Sequence, residues 1–265
     1  MENELTNENY YTKEQEANYL TYSQFKKFLE CESQALAIIE GRYEQEQTKG
    51  LLQGSYVDSH FSGEMEQFKE EHPEIFKKDG SLKADYEVCE NCIKAIEADE
   101  TFNDLFYKGE QQVILTGEIA GVPFKGKIDM LYADEDKIVD NKCMASIDDI
   151  WSPSEHRYVP LWYYYGYDIQ QAIYQELYYQ KTGKKANCFL SVVTKSENPQ
   201  KHAFLFSQNV LDKALELVKA KAPRYHAIKK HEIEPDECGK CAYYHATHKF
   251  DVFDIHCIEE EREWK

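Results

Sequence analysis

The sequence has no long apolar run, no leader-like beginning, no internal repeat and a shortage of positive charge. No stretch approaches the roughly 18 apolar residues of a membrane-spanning helix, so no membrane association is expected. The first eighteen residues, MENELTNENYYTKEQEAN, lack the basic-plus-apolar pattern of a secretory leader. A cytoplasmic protein is therefore expected, with its eight cysteines as thiols rather than disulfides. Lysine and arginine total 31 against 49 acidic residues, a formal net charge of −18. Such a chain has little general attraction for nucleic acid, which relies on basic groups displacing condensed counterions. A local basic surface beside carboxylates that hold divalent cations stays open.

What is present is a folding chain. Its 265 residues are 42% hydrophobic and 14% aromatic, with 20 tyrosines, enough for a core that needs no staples. Residues 1–18 read as a flexible arm. LTYSQFKKFLECESQALAIIEGR then has helical spacing, with Thr21 or Ser23 as cap and Gly41 as terminator. TKGLLQGSYVDSHFSGEMEQFKEEHPEIF predicts a second helix stopped near Pro73, and DYEVCENCIKAIEADETFNDLF a third reaching about Phe106. From residue 110 the period becomes that of strands. EQQVILTGEIAGVPFKGKIDMLYADEDKIVDNKC predicts a three-stranded antiparallel meander turning at Gly121 and at residues 134–136. After a loop with Pro153 and Pro160 come a helix ending at Gly183, two strands (ANCFLSVVTK and HAFLFSQ), and a long helix bent at Pro223. The simplest architecture is one α/β domain over 19–265: helical to about 108, a core over about 109–231, and a cysteine-containing tail.

In the meander, KGKIDMLYADEDKIVDNKC puts charge where a strand should bury itself. Side chains alternate across a strand, so Asp140 and Lys142 share a face. A turn centred on Asp134 and Glu135 sets Asp129 opposite Asp140; a shift of one residue sets it opposite Asn141. Two close carboxylates repel, and a hard divalent cation such as Mg²⁺ or Mn²⁺ resolves the conflict. Asn141 can add its backbone carbonyl, and Lys142 can orient or deprotonate a water and offset phosphate charge. This is equipment for metal-assisted phosphodiester hydrolysis. The bland alternative is a cross-strand salt bridge on an exposed sheet face.

GKIDML and the DNK triplet, with ten residues between Asp129 and Asp140, resemble the core of the PD-(D/E)xK nucleases. Together with LTYSQFKKFLECESQAL, LLQGSYVD and EQQVILTGEIAGVPFKGKIDML, they resemble the RecE-type phage and prophage exonucleases, relatives of the RecB nuclease domain, over residues 20–250. The resemblance implies a central mixed β-sheet flanked by helices, with Asp129 and Asp140 as metal ligands and Lys142 as the catalytic lysine. It implies that Glu110 is a further metal-site acid. Asp58 falls where relatives often carry a metal-binding histidine, and nearby His60 leaves that ligand open. Gln170 and Tyr174 match a Q-x-x-x-Y motif whose i, i+4 spacing puts both on one helical face. Gln171 is the alternative amide. Each has a plainer competitor: a solvated Asp58, a strand-edge Glu110, a core Tyr174.

In ECGKCAYYHATH, Cys238 and Cys241 have C-x-x-C spacing, and His245 and His248 could complete a zinc site. The resemblance implies a different option, an iron–sulfur cluster with Cys31 as the early ligand and Cys257 as a distant substitute for a missing late one. Metal-free thiols are the favoured reading. Cys89 and Cys92 read as helix residues. KTGKK (181–185), KAKAPR (219–224), IKKH (228–231), Lys125 and Lys127 are candidate phosphate contacts or solvated helix ends. The overall expectation is a Mg²⁺-dependent exonuclease on linear double-stranded DNA in phage recombination. The family further implies a homo-oligomeric ring and a single-strand annealing protein as partner. The alternatives are a non-catalytic DNA- or protein-binding relative and a zinc-stabilised interaction module.

Overall fold

The strand alternation after residue 110 produces the meander that carries the site. A computed structural model describes residues 5–45 and 48–250. In it β1 (Glu110–Ile119), β2 (Val122–Tyr132) and β3 (Lys137–Met144) are successively antiparallel. The turns fall where expected, at Gly121 (φ 78°) and at Asp136 (φ 47°). After β3 come a short hairpin of β4 (Ile150–Ser152) and β5 (Arg157–Val159), then α8 (Leu161–Tyr165) and α9 (Tyr167–Thr182). The chain returns as β6 (Asn187–Thr194), parallel to β3, and β7 (Lys201–Leu205) adds antiparallel to β6. The mixed sheet has the order β1-β2-β3-β6-β7. Helix α10 (Gln208–Lys229) runs through Pro223, and α11 (Ala242–Thr247) follows.

The amino-terminal helices are more divided than their spacing predicts. The first expected helix is two, α2 (Tyr22–Glu30) and α3 (Glu32–Ile39), because Cys31 is extended (φ −164°, ψ 116°) and serves as the end of one and the start of the other. Thr21, not Ser23, caps α2 by accepting from the Gln24 N–H. The second is divided by left-handed Gly63 into α4 (Lys49–Ser62) and α5 (Met65–Glu71). The third becomes α6 (Ala84–Glu97) and α7 (Glu100–Phe106), since the Asp99 side chain accepts from the Phe102 N–H and starts a new helix. An N-cap of this kind is worth about 1 kcal/mol, enough to fix such a break.

Residues 5–18 are not a free arm. They contain α1 (Lys13–Asn18), capped by Thr12, and Tyr10 and Gln15 are buried. Leu20 bonds to the edge of β2 through Leu20 N–H to Pro123 O (2.8 Å) and Lys125 N–H to Leu20 O (3.1 Å). The fully buried Lys125 ammonium pairs with Glu16 at 2.7 Å and donates to the Tyr10 carbonyl. At the end of α10, Lys229 donates to the carbonyls of Glu16 (2.8 Å) and Tyr19 (2.6 Å) and to Gln24 Oε1 (2.6 Å). The segment that reads as a flexible arm is held in place by two buried ammonium groups.

Each face of the sheet is covered. Ile138, Cys188, Leu190 and Val192 pack with Phe25, Phe28, Ile173, Leu177 and Val218 on one side. Val139 and Val193 pack with Tyr56, Ile93 and Ile96 on the other. Helix α9 lies unusually close to β2, and Gly126 is the reason. A Cβ there would meet Tyr174 ring carbons at 2.7 and 2.9 Å, so only glycine lets that ring rest on the strand.

Candidate active site

Strands β2 and β3 bring the charged residues together, and α9 reaches across to hold them. The β2–β3 ladder ends at Met130 opposite Val139, and the next residue on each strand is Asp129 and Asp140. The Asn141 N–H donates to Asp129 Oδ2 at 3.0 Å. Lys142 Nζ lies 2.5 Å from Asp140 Oδ2 and 3.7 Å from Asp129 Oδ2, and donates to the Asn141 carbonyl at 3.3 Å. Gln170 Nε2 donates to Asp140 Oδ1 at 2.7 Å and to the Tyr174 hydroxyl at 3.1 Å. The amide meeting Asp140 is thus that of Gln170; the Gln171 side chain is fully buried with no hydrogen-bond partner among the described residues.

Burial dominates the electrostatics. Asp140 is inaccessible to solvent, and its carboxyl is pushed up by that burial, against the pull of Lys142 and with Asp129 adding to the rise. Burial draws the Lys142 ammonium down, but Asp140 and Asp129 outweigh it and hold it well above the ordinary lysine value.

Helix α4 contributes Asp58 to the same cleft, a space of about 570 Å³ also lined by Gln112, Lys127, Asp129, Lys142 and Tyr174. Solvent reaches Asp58, yet its carboxyl is raised, first by loss of surrounding water and then by Asp129. His60 is held by Glu97 at 2.8 Å. Glu110 is exposed at the start of β1 opposite Leu131, and it is not part of the cleft wall. Its expected place is taken by Gln112, whose left-handed backbone (φ 53°) takes it out of the β1–β2 pairing and into the cleft. Nothing in EQQVIL marks that backbone excursion. Tyr167 and Tyr22 are also new: Lys142 Nζ lies 5.5 Å above the Tyr167 ring, and Tyr22 lines the cleft. Tyr167 precedes Gln170 by one helical turn, so the period of α9 could have located it.

The donor set suits a hard divalent cation. Asp58, Asp129 and Asp140 offer carboxylates and Asn141 its carbonyl, and among the described residues no cysteine or histidine lines the cleft, although the three carboxylates do not all bring an oxygen within 4.8 Å of one another. The raised carboxyls of Asp58 and Asp140 are what a cation would relieve. Buried Gln170 Oε1 and Asn141 Oδ1 have no hydrogen-bond partner among the described residues.

A second group of potential ligands lies elsewhere. The thiols of Cys31, Cys238 and Cys241 all fall within 4.8 Å of one another. Cys241 Sγ is 3.7 Å from Cys31 Sγ, and the Cys241 N–H donates to Cys238 Sγ. His245 and His248 are not in this group; His248 stacks on Tyr244, with ring centroids 4.4 Å apart. Cys257 lies outside the described residues. Cys89 and Cys92 are buried in α6. Part of the basic stretches is paired within the fold: Lys184 with Asp136 and Lys185 with Asp212 at the surface, Arg224 with Glu32, and Lys229 with the arm.

Residues 21–247 match a family model described as a PDDEXK-like domain of unknown function (DUF3799). The chain is similar to the crystal structure of a "Putative exonuclease" from Eubacterium rectale, with 39% identity and a TM-score of 0.87 over 94% of this chain and 95% of that one. Another solved structure, SSO0001, is 13% identical over 85% of this chain and 94% of that one; its TM-score of 0.28 carries no argument. No curated protein matches the chain. No helix among the described residues is long and apolar enough to cross a membrane.

Proposed function

Because the chain belongs to the PDDEXK-like family and has the fold of the PD-(D/E)xK nuclease superfamily, we propose that it is a Mg²⁺- or Mn²⁺-dependent deoxyribonuclease. The reading is an exonuclease on linear double-stranded DNA in phage or prophage recombination, working as a ring and handing single strands to an annealing protein. The observation that carries the nuclease reading is the meeting of Lys142 with Asp129 at the cleft wall and with buried Asp140 behind it, Gln170 fixing Asp140.

Asp58, Asp129, Asp140 and the Asn141 carbonyl are the ligands in this reading. The cation they hold supplies Lewis-acid stabilisation of the phosphate and its leaving oxygen. The chain's own groups do the positioning. Gln170 occupies Asp140 Oδ1, which turns Oδ2 toward Lys142, and Tyr174 accepts from the same amide and fixes its rotamer. Lys142 orients the attacking water and offsets the charge gathering on the phosphate oxygens. Digestion of end-labelled linear DNA with Mg²⁺, Mn²⁺ or EDTA tests this, with closed circular DNA as the control for endonuclease cutting. Wild-type protein digests the linear form in metal, while Lys142→Ala and Asp140→Ala do not. Equal digestion by all three, or none under any metal, defeats the reading.

The thiol cluster supports a structural metal in the carboxyl-terminal segment, zinc or an iron–sulfur cluster. Against its partial burial, hydrogen bonds from the Lys240 backbone, Cys241 and Cys31 pull the Cys238 thiol down, while burial, Cys238 and Cys31 push the Cys241 thiol up. Elemental analysis of anaerobically purified protein tests it: bound zinc or iron falls away in Cys238→Ser, whereas metal-free wild type refutes it.

A further inference from the structure

A chain with a net charge of −18 has little general attraction for phosphate, so contacts to the bases gain importance for binding DNA. The region following the site residues of β3 exposes aromatic surface instead. Trp151 and Tyr158 on the β4–β5 hairpin and Tyr163 and Tyr164 on α8 are between 43% and 66% exposed. Single exposed rings are ordinary; four within fourteen residues of sequence are not.

These rings connect to the cleft. Exposed Tyr164 meets Tyr165 edge-on, with centroids 5.2 Å apart, and Tyr165 stacks on Tyr167 at 5.7 Å and 29°. Tyr167 lies beneath Lys142 Nζ at 5.5 Å. The Tyr22 hydroxyl donates to the Tyr165 carbonyl at 2.7 Å, and Lys26 Nζ stands 5.7 Å over the Tyr165 ring. Tyr165 and Tyr167 are half-buried. Beside Tyr164, the hairpin and α8 enclose a cavity of about 400 Å³ that Lys240 also lines.

We propose that Tyr164, Tyr165 and Tyr167 form a stacking track for unpaired bases, which leads a single-stranded DNA end to the catalytic lysine. The occupant is single-stranded because a base presents its face to a ring only after leaving the duplex stack. Such a track tolerates every base, and Lys26, Lys142 and Lys240 lie beside it to meet the phosphates. The proposal rests on the nuclease reading for its purpose, not for its binding chemistry.

The test is fluorescence anisotropy in EDTA, where binding is separated from hydrolysis. The probes are a short labelled single strand, an abasic strand with the same number of phosphates, and a duplex. Wild type, Tyr164→Ala and Tyr164→Phe are compared; the exposed position makes both folds safe, and circular dichroism checks them. The base-bearing strand binds wild type more tightly than the abasic one. Tyr164→Ala weakens that binding by about tenfold, as loss of one stacked base predicts, and Tyr164→Phe retains it. Equal affinity for base-bearing and abasic strands, equal binding by Tyr164→Ala, or an equal loss on duplex overturns the proposal. Duplex digestion in Mg²⁺ is scored separately. Ring-dependent binding without digestion sinks the nuclease reading alone, and digestion without ring-dependent binding sinks this proposal alone.

Discussion

Replacing Lys142 by methionine keeps most of its volume and deletes the charge that Asp140 and Asp129 face. Asp140 is fully buried and Lys142 only a quarter exposed, so the pair is little screened by solvent. Removing one member of a buried ion pair costs about 3–5 kcal/mol. The lower end applies here, because Asp140 can take up a proton instead of remaining charged. For a domain of this size, about 3 kcal/mol lowers the Tm by about 6–12 °C. The pH dependence has a fixed sign. The Asp140 carboxyl is already raised in the fold, so stability falls as pH climbs from the unfolded value toward the folded one. Without Lys142 the folded value rises further, so the deficit opens as pH climbs through about 7, the folded value with Lys142 in place, and fades below it. Thermal melting in EDTA at acidic and alkaline pH reads this directly. Mg²⁺ should recover part of the lost Tm at alkaline pH, since it faces the same carboxylates, while DNA digestion stays abolished. A variant as stable as wild type in alkaline EDTA, or a deficit largest in acid, refutes the reasoning.

The other predictions concern the site's supports. Gly126→Ala drives a Cβ into the Tyr174 ring; overpacking of this kind costs about 1–3 kcal/mol, and the displaced helix takes Gln170 away from Asp140. Both the Tm and digestion should drop, and an unchanged Tm would show the contact to be slack. Gln112→Ala should slow digestion more than Glu110→Gln, because Gln112 lines the cleft and Glu110 does not; the reverse order in a nuclease assay restores Glu110 as a ligand. Burial pushes the Asp168 carboxyl up to about 6, and its Oδ1 has no hydrogen-bond partner among the described residues. The fold is therefore penalised as pH rises from the unfolded value near 4 through about 6, by at most about 3 kcal/mol. Asp168→Asn should raise the Tm above pH 6, with the gain vanishing in acid; a pH-independent change would contradict this.

What could be read from the sequence was what local periodicity encodes. Alternation over residues 110–144 gave the meander, and the 3.6-residue period gave α9 with Gln170 and Tyr174 on one face. The D…D-x-K spacing put Asp129, Asp140 and Lys142 at one end of a hairpin. Features set by distant partners were not legible. Cys31 interrupts a continuous helical pattern at a point where its thiol meets two others more than two hundred residues away. Gln112 leaves the strand by a backbone excursion that glutamine does not advertise. The β4–β5 hairpin and its rings lay in what read as a proline-bearing loop.

The anchoring of the amino-terminal segment has a consequence for the order of assembly. Tyr10 and Tyr11 form part of the cleft wall, yet their segment is tied to Lys125, 109 residues beyond Glu16, and to Lys229, 213 residues beyond it. Contacts spanning such separations close late, because the loop entropy must be overcome before they contribute anything. During synthesis this segment emerges before the sheet and waits until Lys229 has followed it. The charged hairpin therefore exists well before the cleft does, and a truncated product lacking the end of α10 would carry the site residues without the wall that encloses them.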